Sequence, residues 1–155
     1  MWSWERFADD MVWHSSVDTF NAENIEVSTN DSRVSYRCDD DGAWATARWE
    51  GDDETWTEWT FDPPYLVVPR HLEAGVAWSS EAAWNLVRSD GSEETASETT
   101  QFFVETEVNT VIPAGSFTTL QVRVLQGNTE DDWYFARGVG VVLTDEVQLI
   151  DWAVP

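Results

Sequence analysis

The chain has 155 residues, 42% of them hydrophobic, so it can bury a core and is not a disordered acidic tail. Asp and Glu number 30 against 8 basic residues, all of them Arg, for a net charge of -22. That balance excludes nucleic acid and anionic membrane surfaces as partners, since both need cations, and no apolar run is long enough to span a bilayer.

In chain order, Trp4, Phe7, Ala8 and Met11 follow a helical period behind a Ser3 cap, which predicts one short helix over residues 3–13. From residue 24 to 154 the period is two, which predicts an antiparallel meander within a single domain spanning 1–155. Asn24–Thr29 and Ser32–Cys38 are expected to join at Asn30-Asp31, and Gly42–Glu50 and Glu54–Phe61 at Gly51-Asp52-Asp53. Asp62-Pro63-Pro64 is expected to break the sheet, because two prolines remove two ladder donors. Gly75–Ser80 and Ala82–Arg88 read as strands, and residues 89–100 as a solvated loop or a wet strand start.

Further on, Phe102, Val104, Thr106, Val108, Thr110 and Ile112 alternate onto one face, and Pro113-Ala114-Gly115 turns the chain into Phe117–Leu125. Asn128–Asp132 is expected to turn into a strand Trp133–Leu143, with Gln148–Val154 last. The fold class is therefore mainly β: a strongly curved antiparallel sheet with one short N-terminal helix, a β-sandwich being the alternative.

Eleven tryptophans are the most unusual feature of the composition. Trp44 and Trp49 have opposite parity, as do Trp56 and Trp59, so simple alternation puts them on both faces. Three arrangements would explain this: both faces covered, an apolar groove on a curved sheet, or an aromatic platform for sugar rings. Trp49, Trp56, Trp59 and Trp133 lie on strands flanked by turns and are the candidate ligand-binding residues. Trp84 and Trp152 have mostly apolar neighbours and are assigned to the core.

The catalytic inventory is thin, and no catalytic residue is singled out. Cys38 is alone, so no intrachain disulfide forms, and a lone Cys on an alternating stretch reads as a small hydrophobe. His14 and His71 have no metal-ligand spacing, and no calcium-loop spacing surrounds Asp39–Asp41, so no metal is implied. The acidic clusters Asp39–Asp41, Asp52–Glu54, Glu93-Glu94 and Glu130–Asp132 read as solvated turns. Phosphate-cradling glycine motifs and the G-x-S-x-G elbow are missing, so no cofactor is expected.

Two stretches carry a resemblance. Glu107–Phe117, which contains Ile112-Pro113-Ala114-Gly115-Ser116-Phe117, is followed by Trp133-Tyr134-Phe135-Ala136-Arg137-Gly138-Val139-Gly140-Val141-Val142. This pairing is similar to exported bacterial proteins, many of them lipoproteins of unknown function, with a V-x-V-P-A-G-x-F hairpin and a W-(F/Y)-x-x-G-V-G-x-V strand. Tyr36-Arg37-Cys38 with Gly42, Asp62-Pro63-Pro64 and Leu72–Trp78 resemble further landmarks of that group. The resemblance implies a half-barrel related to periplasmic lipoprotein carriers, with a helix against its concave side.

The functional expectation is a non-enzymatic exported protein that binds an apolar small molecule or a protein partner on a Trp-lined sheet face. A carbohydrate-binding module and a hydrolase using a carboxylate pair are the alternatives. Met1-Trp2-Ser3-Trp4 has neither a basic nor an apolar signal region. It reads as a native start or as a chain whose export signal, with any lipid anchor, has been removed. Acid without lysine also fits the cytoplasm of a salt-accumulating organism.

Eight cations cannot pair 30 anions, so the folded state repels itself at low salt. Debye screening shortens from about 10 Å at 0.1 M to about 3 Å at 1 M. The thermal unfolding midpoint is therefore expected to rise between 0.1 M and 2 M NaCl by more than that of an uncharged domain of equal size. An unchanged or lower midpoint in the concentrated salt would count against this reading of the charge.

Overall fold

The computed structural model describes the backbone of residues 2–6, 12–21, 24–28, 31–145 and 147–152, and the side chains of those from Val27 onward. Among these residues there are twelve strands and no helix. They are β1 (Trp2–Arg6), β2 (Val12–Asn21), β3 (Asn24–Ser28), β4 (Ser32–Cys38), β5 (Gly42–Gly51) and β6 (Trp56–Pro69). Then follow β7 (Ala77–Arg88), β8 (Glu93–Ile112), β9 (Gly115–Gln126), β10 (Thr129–Ala136), β11 (Gly140–Leu143) and β12 (Val147–Trp152). The protein is mainly β, and the ladders from β1 through β7 and from β8 through β12 are antiparallel.

The helix expected over residues 3–13 gives way to strand at both ends. β1 pairs with β12 through Trp2↔Trp152 and Glu5↔Gln148, and with β2 through Trp2↔Ser15 and Glu5↔Val12. The part of that expectation on residues 7–11 lies outside the described residues. Trp2 and Trp4 also fit a period of two, and a helix this short is marginal in water, whereas a strand here gains two ladders.

Contacts divide the chain into two compact units. The terminal unit comprises Met1–Ser15, Leu72–Ser79 and Thr100–Pro155, and the central unit comprises Ser16–His71 and Ser80–Thr99. In the terminal unit, Ile112, Ala136, Val142 and Leu149 form a buried cluster, with Phe117 and Trp152 packed against it. Phe102, Val104, Val122, Val124 and Phe135 are buried in the same unit. Thr110 and Thr119 bury their hydroxyls there by bonding to each other at 2.7 Å. In the central unit the buried apolar residues are Ala45, Phe61 and Leu86.

Several sequence expectations change at bulges. Asp62-Pro63-Pro64 does not end a strand. Ala47 pairs with Thr60 and Ala45 with Tyr65, so residues 61–64 leave the β5 ladder opposite Thr46, Phe61 keeping its pairing with Trp84 of β7, and the prolines cost β5 no ladder bond. The two strands expected between Gly75 and Arg88 are one, β7. Residues 93–99 are the wet start of β8. Along β8 Phe102, Val104, Thr110 and Ile112 are all buried and Thr106 is exposed, but they do not share one face: Phe102 and Val104 lie on the opposite face from Thr110 and Ile112. Val104 pairs with Val122 and Thr106 with Gln121, so Glu105 is an extra residue, and it turns outward to an ion pair with Arg123 at 3.1 Å.

The hairpin turn after β9 is Gly127-Asn128 alone, and Glu130–Asp132 lie in β10 rather than in a turn. The expected strand Trp133–Leu143 is split by a turn at Arg137-Gly138-Val139, closed by the Val139 amide donating to Ala136. β5 is bounded by Gly42 and Gly51, where a Cβ would sit 2.2 Å from the Val68 carbonyl oxygen and 2.1 Å from that of Thr55. That close approach fixes the register of β5 against β6, on which both candidate surfaces depend.

Candidate functional site

The candidate surfaces are the two faces of the β4–β5–β6 sheet in the central unit. β4 has an even register against β3, so Arg33, Ser35 and Arg37 share one face and Val34 and Tyr36 the other. β5 carries one extra residue against β4: Ser35 pairs with Ala47 and Tyr36 with Ala45, which leaves Thr46 as a bulge. The Thr46 hydroxyl donates to the Ser35 carbonyl at 3.1 Å. The bulge reverses the parity of β5, so Trp44 and Trp49 lie on the same face in spite of their odd spacing.

That face is the wetter one. Arg33 pairs with Trp49 and its guanidinium lies 4.6 Å above the indole ring. Arg37 pairs with Trp44 at 6.0 Å. The Trp44 Nε1 donates to Asp39 Oδ1 at 2.9 Å, and Asp39 also takes an ion pair from Arg37 at 3.6 Å. Trp49 pairs with Glu58, and Trp56 with Gly51, so the indoles of Trp49 and Trp56 are diagonal neighbours. Arg33, Glu58, Thr60 and Asn85 on this face are exposed, while Trp44, Trp49 and Trp56 are half-buried.

The opposite face is drier. Ala45, with no exposed surface, lies between Tyr36 on β4 and Tyr65 on β6. Arg48 lies between Val34 and Trp59, with Leu86 of β7 beyond. Its guanidinium stands 5.4 Å from the Trp59 ring and is ion-paired with Glu50. Phe61 meets Tyr65 edge-on at 4.7 Å, and Trp84 pairs with Phe61. Burial pushes the Tyr36 phenol up to about 12, helped by Tyr65 and opposed by Arg48. Burial also raises Tyr65, again opposed by Arg48.

The four candidate tryptophans do not gather on one surface. Trp49 and Trp56 share the wetter face, Trp59 lies on the drier one, and Trp133 belongs to the terminal unit. There its Nε1 donates to Asp131 Oδ2 at 2.6 Å, and its ring lies 6.1 Å from both Phe102 and Phe135. Phe102 is stacked in turn on Trp78 at 4.5 Å. Trp152 packs against the buried cluster beside Phe117, and Trp84 lies on the drier face. Sequence reading missed Trp44, because its parity hid the bulge, and it missed the arginines. The signal available for them was the i, i+4 repeat of Arg33 and Arg37 along a strand facing a Trp-bearing one.

Three acidic turns are closed by backbone amides. Asp39 Oδ1 accepts from the amides of Asp41 and Gly42, Asp52 Oδ1 from Glu54 and Thr55, and Asp90 Oδ1 from Ser92. All three carboxyls are held below their ordinary value, by the Trp44 indole first at Asp39, by the Thr55 and Glu54 amides at Asp52, and by the Ser92 hydroxyl first and then its amide at Asp90. Among the described residues no group of three or more His, Cys, Asp or Glu side chains is placed to hold a metal ion. No protein-family model, curated protein or solved structure matches the chain.

One carboxyl moves the other way. Asp145, whose amide donates to Asp131 Oδ1 at 3.1 Å, is raised by desolvation and by the neighbouring Asp131 charge. Ionising it therefore costs the folded state. The cost is complete above the folded value, fades as pH falls through it, and is gone below the unfolded value of 3.8. Asp145→Asn is expected to raise stability at pH 7 by less than about 1 kcal/mol, since the position is exposed, and to leave it unchanged near pH 3. Unfolding midpoints of both proteins at the two pH values check this.

Proposed function

We propose that the chain is a non-enzymatic binding protein that engages a protein partner through the wetter face of the β4–β6 sheet. The observation that carries this reading is the clustering of half-buried Trp44, Trp49 and Trp56 on a face that also carries exposed Arg33, Glu58, Thr60 and Asn85. A wet sheet face ordinarily carries polar residues, so three indoles there need a reason. Trp and Arg dominate the binding energy of protein interfaces, and here Arg33 and Arg37 already stand over two of the rings. Rings held in this way lose little freedom when a partner arrives. Stacking on sugar, the alternative, needs bare indole faces, and the two arginines occupy one face each of Trp49 and Trp44. Export, adaptation to salt and a half-barrel course of the carrier kind belong to the same proposal. The charge of -22 without lysine and the resemblance over the hairpin Ile112–Phe117 support them.

The test compares the protein with Trp49→Ala/Trp56→Ala in pull-downs from an exported-protein fraction and in titrations with soluble polysaccharides. The double variant is expected to keep its unfolding midpoint within a few degrees and to lose a captured partner by at least about 30-fold in affinity. Equal capture by both proteins, or a saturable fluorescence response to polysaccharide alone, would overturn the reading.

A further inference from the structure

The wetter face of the central unit carries one cross-strand row along which charge changes sign. Arg33 on β4 pairs with Trp49 on β5, and Trp49 pairs with Glu58 on β6. Residues directly opposite across a ladder share a face, so a cation, an indole and an anion stand side by side there. Two strand spacings, about 10 Å, separate Arg33 from Glu58, with the ring between them, so the two charges do not pair within one chain. Both residues are exposed, and among the described residues no ion pair reaches Glu58. Further back along β5, Trp44 is flanked by Arg37 on β4 and by Leu66 on β6.

We propose that this face binds a second copy of the chain, the two copies being related by a two-fold axis that runs along β5 between the facing sheets. The inference rests on the reading of this face as a protein-binding surface, and it names the partner. Such an axis exchanges the β4 side of one sheet with the β6 side of the other. Each Arg33 then stands opposite the Glu58 of the other copy, each Arg37 opposite Leu66, and Trp44 and Trp49 each face their own counterpart. Facing sheets ordinarily pack about 10 Å apart with strands within about 30° of one another, which an axis along β5 satisfies. The Trp49 ring, 4.6 Å from the Arg33 guanidinium, engages its charge and leaves the N–H fork for a carboxylate.

Charge complementarity selects a second copy. A partner patch of one sign would leave one end of the row Arg33–Trp49–Glu58 facing like charge, whereas the same row turned about β5 matches it at both ends. The face is also locally balanced, with Arg33 and Arg37 set against Asp39 and Glu58. Beyond it, two copies that each carry a net charge of -22 repel. Concentrated salt removes that long-range repulsion and screens pairs in contact less, so association strengthens as salt is added. A face three strands wide makes a small interface, so the dimer is weak and reversible.

The test is the molar mass of the whole chain by analytical ultracentrifugation, from about 5 to about 500 μM protein, in about 0.1 M and about 1 M NaCl. A monomer in the dilute salt and a reversible monomer–dimer equilibrium in the concentrated salt are expected. Arg33→Glu and Glu58→Arg each set like charges opposite one another, and each alone is expected to weaken the dimer at least about 10-fold. Mixed in equal amounts, the two variants are complementary at both ends of the row and are expected to dimerise as the unaltered chain does. That rescue separates the charge pairing from any damage to the fold, since a misfolded variant is not restored by another. If either reversal fails to fold, Glu58→Gln serves instead, with an expected loss of at least about 3-fold. A chain that stays monomeric in 1 M NaCl, a dimer indifferent to these substitutions, or a mixture of folded variants no tighter than either alone would overturn the proposal. A monomer that still captures an unlike protein through Trp49 and Trp56 would overturn the second copy and leave the partner-binding face standing; loss of both would remove that face as well.

Discussion

Thirty carboxylates share eight cations in this chain, so most acidic side chains have to be stabilised by something other than a salt bridge. In the turns that role falls to the backbone. Asp39, Asp52 and Asp90 each collect amide N–H groups from the residues that follow them, so the turn is closed and the charge solvated without an arginine in the hydrogen bond. Arg33, Arg37, Arg48 and Arg123 each stand over an aromatic ring, and Arg37, Arg48 and Arg123 also reach a carboxylate. Exposed ion pairs contribute little, least of all in salt, whereas a guanidinium on an indole also covers apolar area with its stem.

Backbone irregularity then decides which surface those pairs serve. Without the bulge at Thr46, Trp44 would lie with Ala45's neighbours on the drier face and Ala45 would not separate two phenols. With it, Trp44 joins Trp49 under a second arginine, and fully buried Ala45 lies between Tyr36 and Tyr65. The proline loop opposite Thr46 lets β6 follow the same turn of register. One extra residue thus gives a single sheet two chemistries: an Arg-capped Trp surface on one side and a buried alanine between two phenols on the other.

Much of the fold was legible because its hairpins are marked by residues with one physical meaning. Asp31, Gly51 with its aspartates, and Pro113-Ala114-Gly115 all stand where the ladders turn. Bulges carry no such mark. Glu105 and Thr46 are ordinary strand residues, and only the pairing partner shows that they are extra. The N-terminal segment satisfied two periods at once, and the ladders that β1 makes with β2 and β12 are long-range facts that no local window contains. The candidate site suffered for the same reason. Parity placed Trp56 and Trp59 correctly on opposite faces and Trp44 and Trp49 wrongly so, while Trp133 turned out to lie in an aromatic cluster with Phe102 and Phe135.

The account rests on arginines holding tryptophan rings on this sheet, and the Arg33–Trp49 pair isolates that interaction, since those two residues are cross-strand partners. The most direct test is a double-mutant cycle on unfolding free energy with Arg33→Ala, Trp49→Ala and the double variant, at about 0.1 M and about 1 M NaCl. A coupling of about 0.5–1 kcal/mol that survives the higher salt is the expected result. A coupling of zero at both salt concentrations would mean that the ring and the guanidinium are neighbours without consequence, and would contradict the account.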